Sequence, residues 1–308
     1  RLGHRYIPAR QLPDKAVSLL DTACARVAIG QHAVPPAVDD CRKRIQALGT
    51  ELEILSREAD VGRDHAKRVS QIESAVNEEQ EELARLEEAW QCEKELVDKI
   101  LLGHGVIGND HPISPSMAYF ASDLPQREYD VDKAAFHYKK SGHSGTIQLS
   151  AADAAFAGAV DAAQLIAASA SKAGIKIEVV REPNDGYWSN VWNKKGWCAC
   201  YWGGRPTCDW MFRAAYVKDQ KWNDTAWKTT KAAARFNELV AMGSAELDQK
   251  RRAEIYFECQ QLIHDDGGTL MPFYNNMVWA RGKNVRHGQL AANWDTDGAK
   301  LSERWWFA

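Results

Sequence analysis

Between Asn184 and Trp210 the sequence sets flat aromatic rings beside single charges. The first run is Asn184-Asp185-Gly186-Tyr187-Trp188, and the second is Cys200-Tyr201-Trp202-Gly203-Gly204-Arg205-Pro206-Thr207-Cys208-Asp209-Trp210. Residues of these types hold a small molecule without making or breaking a bond. Aromatic walls exclude water, an arginine clamps a carboxylate or phosphate through two parallel hydrogen bonds, and paired glycines admit a close backbone approach. The candidate ligand-binding set is therefore Tyr187, Trp188, Trp202, Gly203, Arg205 and Asp209. Trp90 is the only tryptophan before residue 188, whereas seven of the twelve fall between 188 and 227. Trp197, Trp210 and Trp227 are read as core fillers. Trp188, Trp202 and Arg205, flanked by loop signals, are read as the wall of a cleft.

Other chemistries lack their constellations. The cysteines are Cys24, Cys41, Cys92, Cys198, Cys200, Cys208 and Cys259, and an odd number leaves at least one outside any internal disulfide set. Cys198, Cys200 and Cys208 lie close together, but zinc takes paired Cys-x₂₋₄-Cys knuckles or nearby histidines, so no metal and no cofactor is expected. No G-x-x-x-x-G-K-[ST] loop occurs, and phosphoryl transfer needs that cradle. The histidines stand without a G-x-S-x-G elbow or an H-E-x-x-H pair, so the chain is read as a non-enzyme. A net charge of −3 points to no nucleic-acid partner, and no apolar run is long enough for a membrane span.

The elements that must position these residues fall in three regions, 1–34, 35–94 and 95–308. In the first, Pro13 to Ile29 reads as a helix with Val17, Leu20, Cys24 and Val27 on one stripe. In the second, Val38, Cys41, Ile45, Leu48, Leu52 and Leu55 step by threes and fours, as do Val69, Ile72, Val76, Leu83, Leu86 and Trp90, with a polar Glu79 in the seam. A turn around Asp60-Val61-Gly62-Arg63-Asp64 makes these an antiparallel coiled-coil hairpin. In the third, Asp130 caps a helix that Gly142 ends, and the order strand 146–149, helix 157–172, strand 175–180 predicts a right-handed α/β layer. A short helix at 187–193 and a strand-like run at 197–201 follow. Helices near 229–242 and 245–265 and strand-like runs at 269–274 and 277–280 complete the reading. The fold class is α/β, preceded by a helical segment.

Two resemblances sharpen the picture. Arg5-Tyr6-Ile7-Pro8-Ala9-Arg10-Gln11-Leu12-Pro13-Asp14-Lys15-Ala16-Val17 and the hairpin after it resemble the end of the first AAA+ module and the coiled-coil middle domain of Clp/Hsp100 disaggregases, nearest the ClpV type of type VI secretion. The likeness covers about residues 1–94 and implies a cytoplasmic setting, with Lys15 facing ATP in an intact protein. Residues 95–308 resemble the family-5 extracellular solute-binding proteins, the peptide receptors of ABC importers. The stretches that carry this are Glu95-Leu96-Val97-Asp98-Lys99-Ile100-Leu101-Leu102-Gly103-His104-Gly105, Asp132-Lys133-Ala134 through Gly142, and Ala173-Gly174-Ile175-Lys176-Ile177. Glu246 to Arg252 with Tyr256, Gln260 and Ile263, and Met271-Pro272-Phe273-Tyr274, follow in the family's order.

This second resemblance implies an incomplete periplasmic-binding-protein-like α/β lobe, a small peptide or a peptide-like or opine-like solute as ligand, an inner-membrane ABC permease as partner, and a periplasmic location. The peptide receptors carry an Asp four residues before the loop proline, where it pairs with the ligand's α-amino group. Trp202 stands at that place, and Asp209 is the expected displaced carboxylate. The start Arg1-Leu2-Gly3-His4 carries neither an initiator Met nor a signal peptide, and two families meet near Lys94–Leu96. A fragment or chimera is expected, acting as the solute-binding component of an importer; the alternative is a non-catalytic piece of a disaggregase.

Overall fold

The computed structural model describes residues 34–60, 65–291 and 294–308. The chain divides into two compact units, Arg1–Gln91 and Cys92–Ala308. The expected helix at Pro13–Ile29, the Arg5–Val17 motif and residues 61–64 of the expected turn lie outside the described residues.

In the first unit the heptad seam forms as its spacing dictates. Helix α1 spans Pro36–Asp60 and α2 spans Ala66–Ile100. Val38, Cys41 and Ile72 are buried, and the other seam residues from Ile45 to Trp90 are half-buried. Ion pairs fix the direction. Arg42 meets Glu87 at 2.6 Å, Arg44 meets Glu79 at 2.8 Å and Arg68 meets Glu51 at 2.7 Å, so the helices run antiparallel. Glu79, the polar break in the seam, accepts from the Cys41 thiol at 3.2 Å. Hydrogen bonds from Arg44, and then from Cys41, hold its carboxyl below the ordinary range, while burial pushes the Cys41 thiol up.

The second unit is mixed α/β. Strand β1 is Gly105–Ile107, helix α3 Val131–Ser141, strand β2 Ile147–Ala151, helix α4 Ala159–Lys172 and strand β3 Ile177–Arg181. Asp130 accepts from the Lys133 amide at 2.8 Å, and Gly142 at φ 72 closes α3 in the left-handed conformation. β2 and β3 pair in parallel from Ile147↔Ile177 to Ala151↔Arg181. A parallel pair needs a crossover, which α4 supplies by packing Val160 and Ala163 on Leu149 and Ala151. The expected strand at 197–201 shrinks to one bridge, Ser150↔Cys198. The Ala199 carbonyl is taken by the Tyr187 hydroxyl at 2.6 Å, so the ladder stops there.

Helix α5, Tyr187–Asn190, leads to a helical layer made of α6 (Cys208–Ala215), α7 (Lys231–Ala245) and α8 (Gln249–Asp266). Thr207, Thr230 and Asp248 cap the three, each side chain accepting an amide two or three residues into its helix. Phe212, Phe236, Leu239, Tyr256, Cys259 and Ile263 make the core between them, with Ile113 and Trp227. Gln260 has no exposed surface and every need met. Its amide donates to the Tyr119 and Tyr256 carbonyls and accepts from the Ala121 amide, which ties the 113–124 loop to α8.

Strand β4, Phe273–Asn275, pairs antiparallel with β1. Their approach depends on Gly108, where a Cβ would lie 1.9 Å from the Met271 carbonyl oxygen. The expected strand at 277–280 does not form: Met277, Val278 and Trp279 are exposed, with no neighbouring strand among the described residues to take their amides. Strand β5 (Val285–His287), helices α9 (Asp295–Ala299) and α10 (Leu301–Arg304) and strand β6 (Trp305–Phe307) close the unit. Buried Asp297 gathers Arg304, the Trp305 indole N–H and the Ala291 amide.

Candidate functional site

Trp188 stands on α5, two residues past the left-handed Gly186, and is 39% exposed. From it an edge-to-face series of rings runs across the unit. Trp188 meets Tyr201 at 5.5 Å and Trp192 at 5.9 Å between centroids. Trp192 meets Trp202 at 6.3 Å, and Trp202 meets Trp222 at 6.3 Å. Such tilted contacts set the positive rim of one ring on the negative face of the next, so the series is a stiff wall.

A carboxylate organises this wall. Asp224 Oδ2 accepts the indole N–H of Trp192 at 2.8 Å and that of Trp202 at 3.2 Å. The Cys200 thiol points at the same oxygen from 3.6 Å, and burial together with Asp224 raises that thiol far above its ordinary pKa. The Arg205 guanidinium carbon lies 5.6 Å from the Trp202 ring and 5.7 Å from the ring of Trp294. Arg205 Nη1 donates to the carbonyls of Gly203 at 2.7 Å and Gly204 at 3.0 Å, which fixes the plane of the guanidinium. Gly203 thus acts through its carbonyl oxygen.

Of the six expected site residues, the structure joins Trp188, Trp202, Gly203 and Arg205 into this wall. Two are elsewhere. Tyr187 is 1% exposed, its hydroxyl donates to the Ala199 and Ser150 carbonyls, and its ring meets Trp188 edge-on at 5.6 Å, so it is core beneath the wall rather than part of its surface. Asp209 sits in the first turn of α6, where Arg213 Nε reaches it at 3.0 Å and the Ser244 hydroxyl donates to it. That carboxylate fastens α6 to α7 and is not the displaced ligand carboxylate expected from the sequence. The tryptophans read as core also divide. Trp227 is buried and donates to Asp266 at 2.7 Å, and Trp197 packs on the β2–β3 layer. Trp210 is 48% exposed, edge-on to Trp294 at 5.2 Å, and so stands beside the site rather than in the core.

Trp192, Trp222, Asp224 and Trp294 were missed by reading the sequence. Trp192 carries a signal in hindsight, since it lies one helical turn from Trp188, whereas Asp224 and Trp294 reach the wall only through tertiary folding. Among the described residues no cluster of three His, Cys, Asp or Glu side chains forms that could hold a metal ion.

Comparison with known proteins divides along the same two units. Residues 1–73 match the AAA lid domain, and residues 92–224 match the middle region of the bacterial extracellular solute-binding proteins of family 5. The AAA+ ATPase ClpV1 of Pseudomonas aeruginosa is 61% identical over 101 residues, which cover 33% of this chain and 11% of that protein. The oligopeptide-binding protein AppA of Bacillus subtilis, solved with a nonapeptide, superposes with a TM-score of 0.53 at 17% identity, covering 70% of this chain and 45% of that one. NikZ of Campylobacter jejuni, solved with Ni(L-His), gives 0.53 at 15% identity over 69% and 46%. Those two likenesses speak to the fold alone. The chain thus spans about one tenth of the matched ATPase and less than half of each of these two solved structures. Its first part resembles the lid and middle-domain region of ClpV-type disaggregases, and its second part resembles family-5 solute-binding proteins, with their periplasmic-binding-protein-like fold.

Proposed function

We propose that the unit Cys92–Ala308 captures a small polar solute, of the peptide-like or opine-like kind, and leaves it chemically unchanged. In this reading it is the substrate-binding component of an ABC importer, works outside the inner membrane and delivers its ligand to a permease. One observation carries the proposal: Trp188, Trp202 and Arg205 share one wall whose rings and guanidinium are held in place by Asp224 and by the Gly203 and Gly204 carbonyls. Preformed aromatic and cationic surface of this kind suits binding, because little ordering is left to be done when the ligand arrives.

The test is intrinsic tryptophan fluorescence and calorimetry on the full chain with di- and tripeptides and opines. Saturable quenching is expected, and Trp188→Ala should weaken it by roughly tenfold, about 1.4 kcal/mol, without lowering Tm by more than a few degrees. No response from any of these solutes at millimolar concentration would sink the reading.

The 61% identity to ClpV1 over 101 residues favours a second reading, in which the first unit is a non-catalytic, partner-binding piece of a disaggregase. Its signature is assembly into a ring or retention of a sheath-derived peptide. A chain that sediments as a monomer and retains no such peptide excludes it.

A further inference from the structure

We propose that the β5–β6 ribbon and the run leading into it, residues 275–290 with 305–308, form a docking surface for an anionic lipid bilayer, on which the protein lies without crossing it. The proposal does not depend on the solute-capture reading. Every residue from 275 to 284 is exposed, and the run carries Met277, Val278 and Trp279. Leu290, Trp306 and Phe307 add exposed apolar surface, Phe307 at 80%. Apolar side chains gathered in this way mark a contact surface. The same stretch is basic. Between 275 and 290 stand Arg281, Lys283 and Arg286 and no acid, in a chain whose net charge is −3. The Arg281 and Arg286 guanidinium groups donate to the carbonyls of Val285 and Lys283, and none of the three cations has a carboxylate partner among the described residues.

Strand register places these groups. Val285 stands opposite Phe307, and Arg286 opposite Trp306. Opposed residues share a face of the ribbon and successive ones alternate, so Arg286 and Trp306 lie on one face and Phe307 on the other. The Ala308 amide donates to the Asn284 carbonyl at 2.8 Å, which sets Phe307 beside the Gly282-Lys283-Asn284 turn at one end of the ribbon. An exposed ring on each face leaves the ribbon no single apolar side to lay on a rigid partner, whereas a fluid interface takes its end with both rings. Duplex nucleic acid would answer the cations but leave Met277, Val278 and Leu290 in water. A bilayer with anionic headgroups answers both: indoles settle at headgroup level, aliphatic side chains below them, and Lys and Arg pair with the lipid charge.

Cosedimentation of the full chain with vesicles of phosphatidylcholine alone, and of phosphatidylcholine with phosphatidylglycerol, tests this. Retention on the anionic vesicles and not on the neutral ones is expected, and it should weaken as salt screens the attraction. A Lys or Arg at an anionic surface strengthens partition about fivefold, so Lys283→Gln should weaken it by about that much. Arg281→Gln, Lys283→Gln and Arg286→Gln combined should weaken it about a hundredfold. Phe307→Ala should cost about tenfold, the loss of one ring from the apolar phase. The exposed Lys283 side chain stands in a turn, so that single variant and the lipid and salt dependence of the unaltered protein decide the matter should the triple variant disturb the ribbon. Equal retention on both kinds of vesicle, no retention on either at low salt, or retention unmoved by Lys283→Gln overturns the proposal. Binding of duplex DNA without vesicle binding, or dimerisation abolished by Phe307→Ala without vesicle binding, overturns it too and gives the surface to that partner. None of these outcomes bears on solute capture.

Discussion

His111 gives the second unit a built-in sensitivity to acid. The residue has no exposed surface, its ring lies 5.8 Å from Phe120 and 6.2 Å from Tyr274, and Nε2 has no partner. Burial first, and then the nearby His264, lower its pKa from 6.5 to about 4. The sign follows from which state binds the proton. Above pH 6.5 the imidazole is neutral folded and unfolded, and the native burial of a neutral ring is unopposed. Between 6.5 and about 4 the unfolded chain takes up a proton that the folded chain refuses, so stability falls with pH at up to about 1.4 kcal/mol per unit. Integrated from pH 7 to pH 4.5, that is roughly 2–3 kcal/mol. His111→Phe removes the titration and keeps a ring against Phe120 and Tyr274, and the backbone carbonyl that accepts from the Tyr274 hydroxyl at 2.5 Å is untouched. Urea unfolding followed by tryptophan fluorescence reports mainly this unit, since only Trp90 lies before it. Carboxylates lose the same stability in both proteins, so the difference between the two pH curves isolates the histidine. Unaltered protein should fall by about 2–3 kcal/mol more than His111→Phe over this range. Parallel curves would refute the reasoning.

Two further substitutions separate core from site. At Gly243 on α7 an added Cβ would lie 2.3 Å from Tyr256 Cε1, so Gly243→Ala forces the α7–α8 contact apart and should destabilise by about 1–3 kcal/mol in urea titration; a neutral result would show that the ring has room to move. Tyr187→Phe strips the hydroxyl that the Ala199 and Ser150 carbonyls accept, and should cost about 1–2 kcal/mol of stability while ligand affinity stays within twofold; a large loss of affinity at unchanged stability would return Tyr187 to the binding surface.

Much of the framework was legible because local chemistry and tertiary packing agree. Asp130 and Gly142 punctuate α3 as their types require, and the three-four spacing from Val38 to Trp90 is the seam of α1 and α2. Helix α6 was overlooked although Cys208, Met211, Phe212 and Ala215 recur at i, i+3, i+4 and i+7 behind a Thr207 cap. The same stretch carries Asp209 and Trp210, residue types that also suit ligand contact, so two signals overlap there. The runs at 197–201 and 277–280 alternate like strands, but a strand exists only where a partner takes its amides, and sequence periodicity is silent on partners. The same limit hid the core of the site. Arg205 and Trp202 are near neighbours in the chain, whereas Asp224 and Trp294 come from segments farther along that carry no motif.

The unusual tryptophan content is better explained by the wall than by the core. Where this unit needs only apolar volume it uses Phe212, Phe236, Leu239, Ile263 and the alanines of α4, which fill space without a polar atom to satisfy. Indoles bring an N–H that must be paired once it leaves water, so each buried one demands an acceptor. Trp227 meets that demand with Asp266 and Thr230. Trp192 and Trp202 meet it jointly on one oxygen of Asp224. A core-filling role gives no reason for two indoles to converge on a carboxylate that has no counter-ion among the described residues, nor for a guanidinium to lie against Trp202 and Trp294 with no acid beside it among them. A surface that must present rigid faces between two fixed charges gives a reason for each.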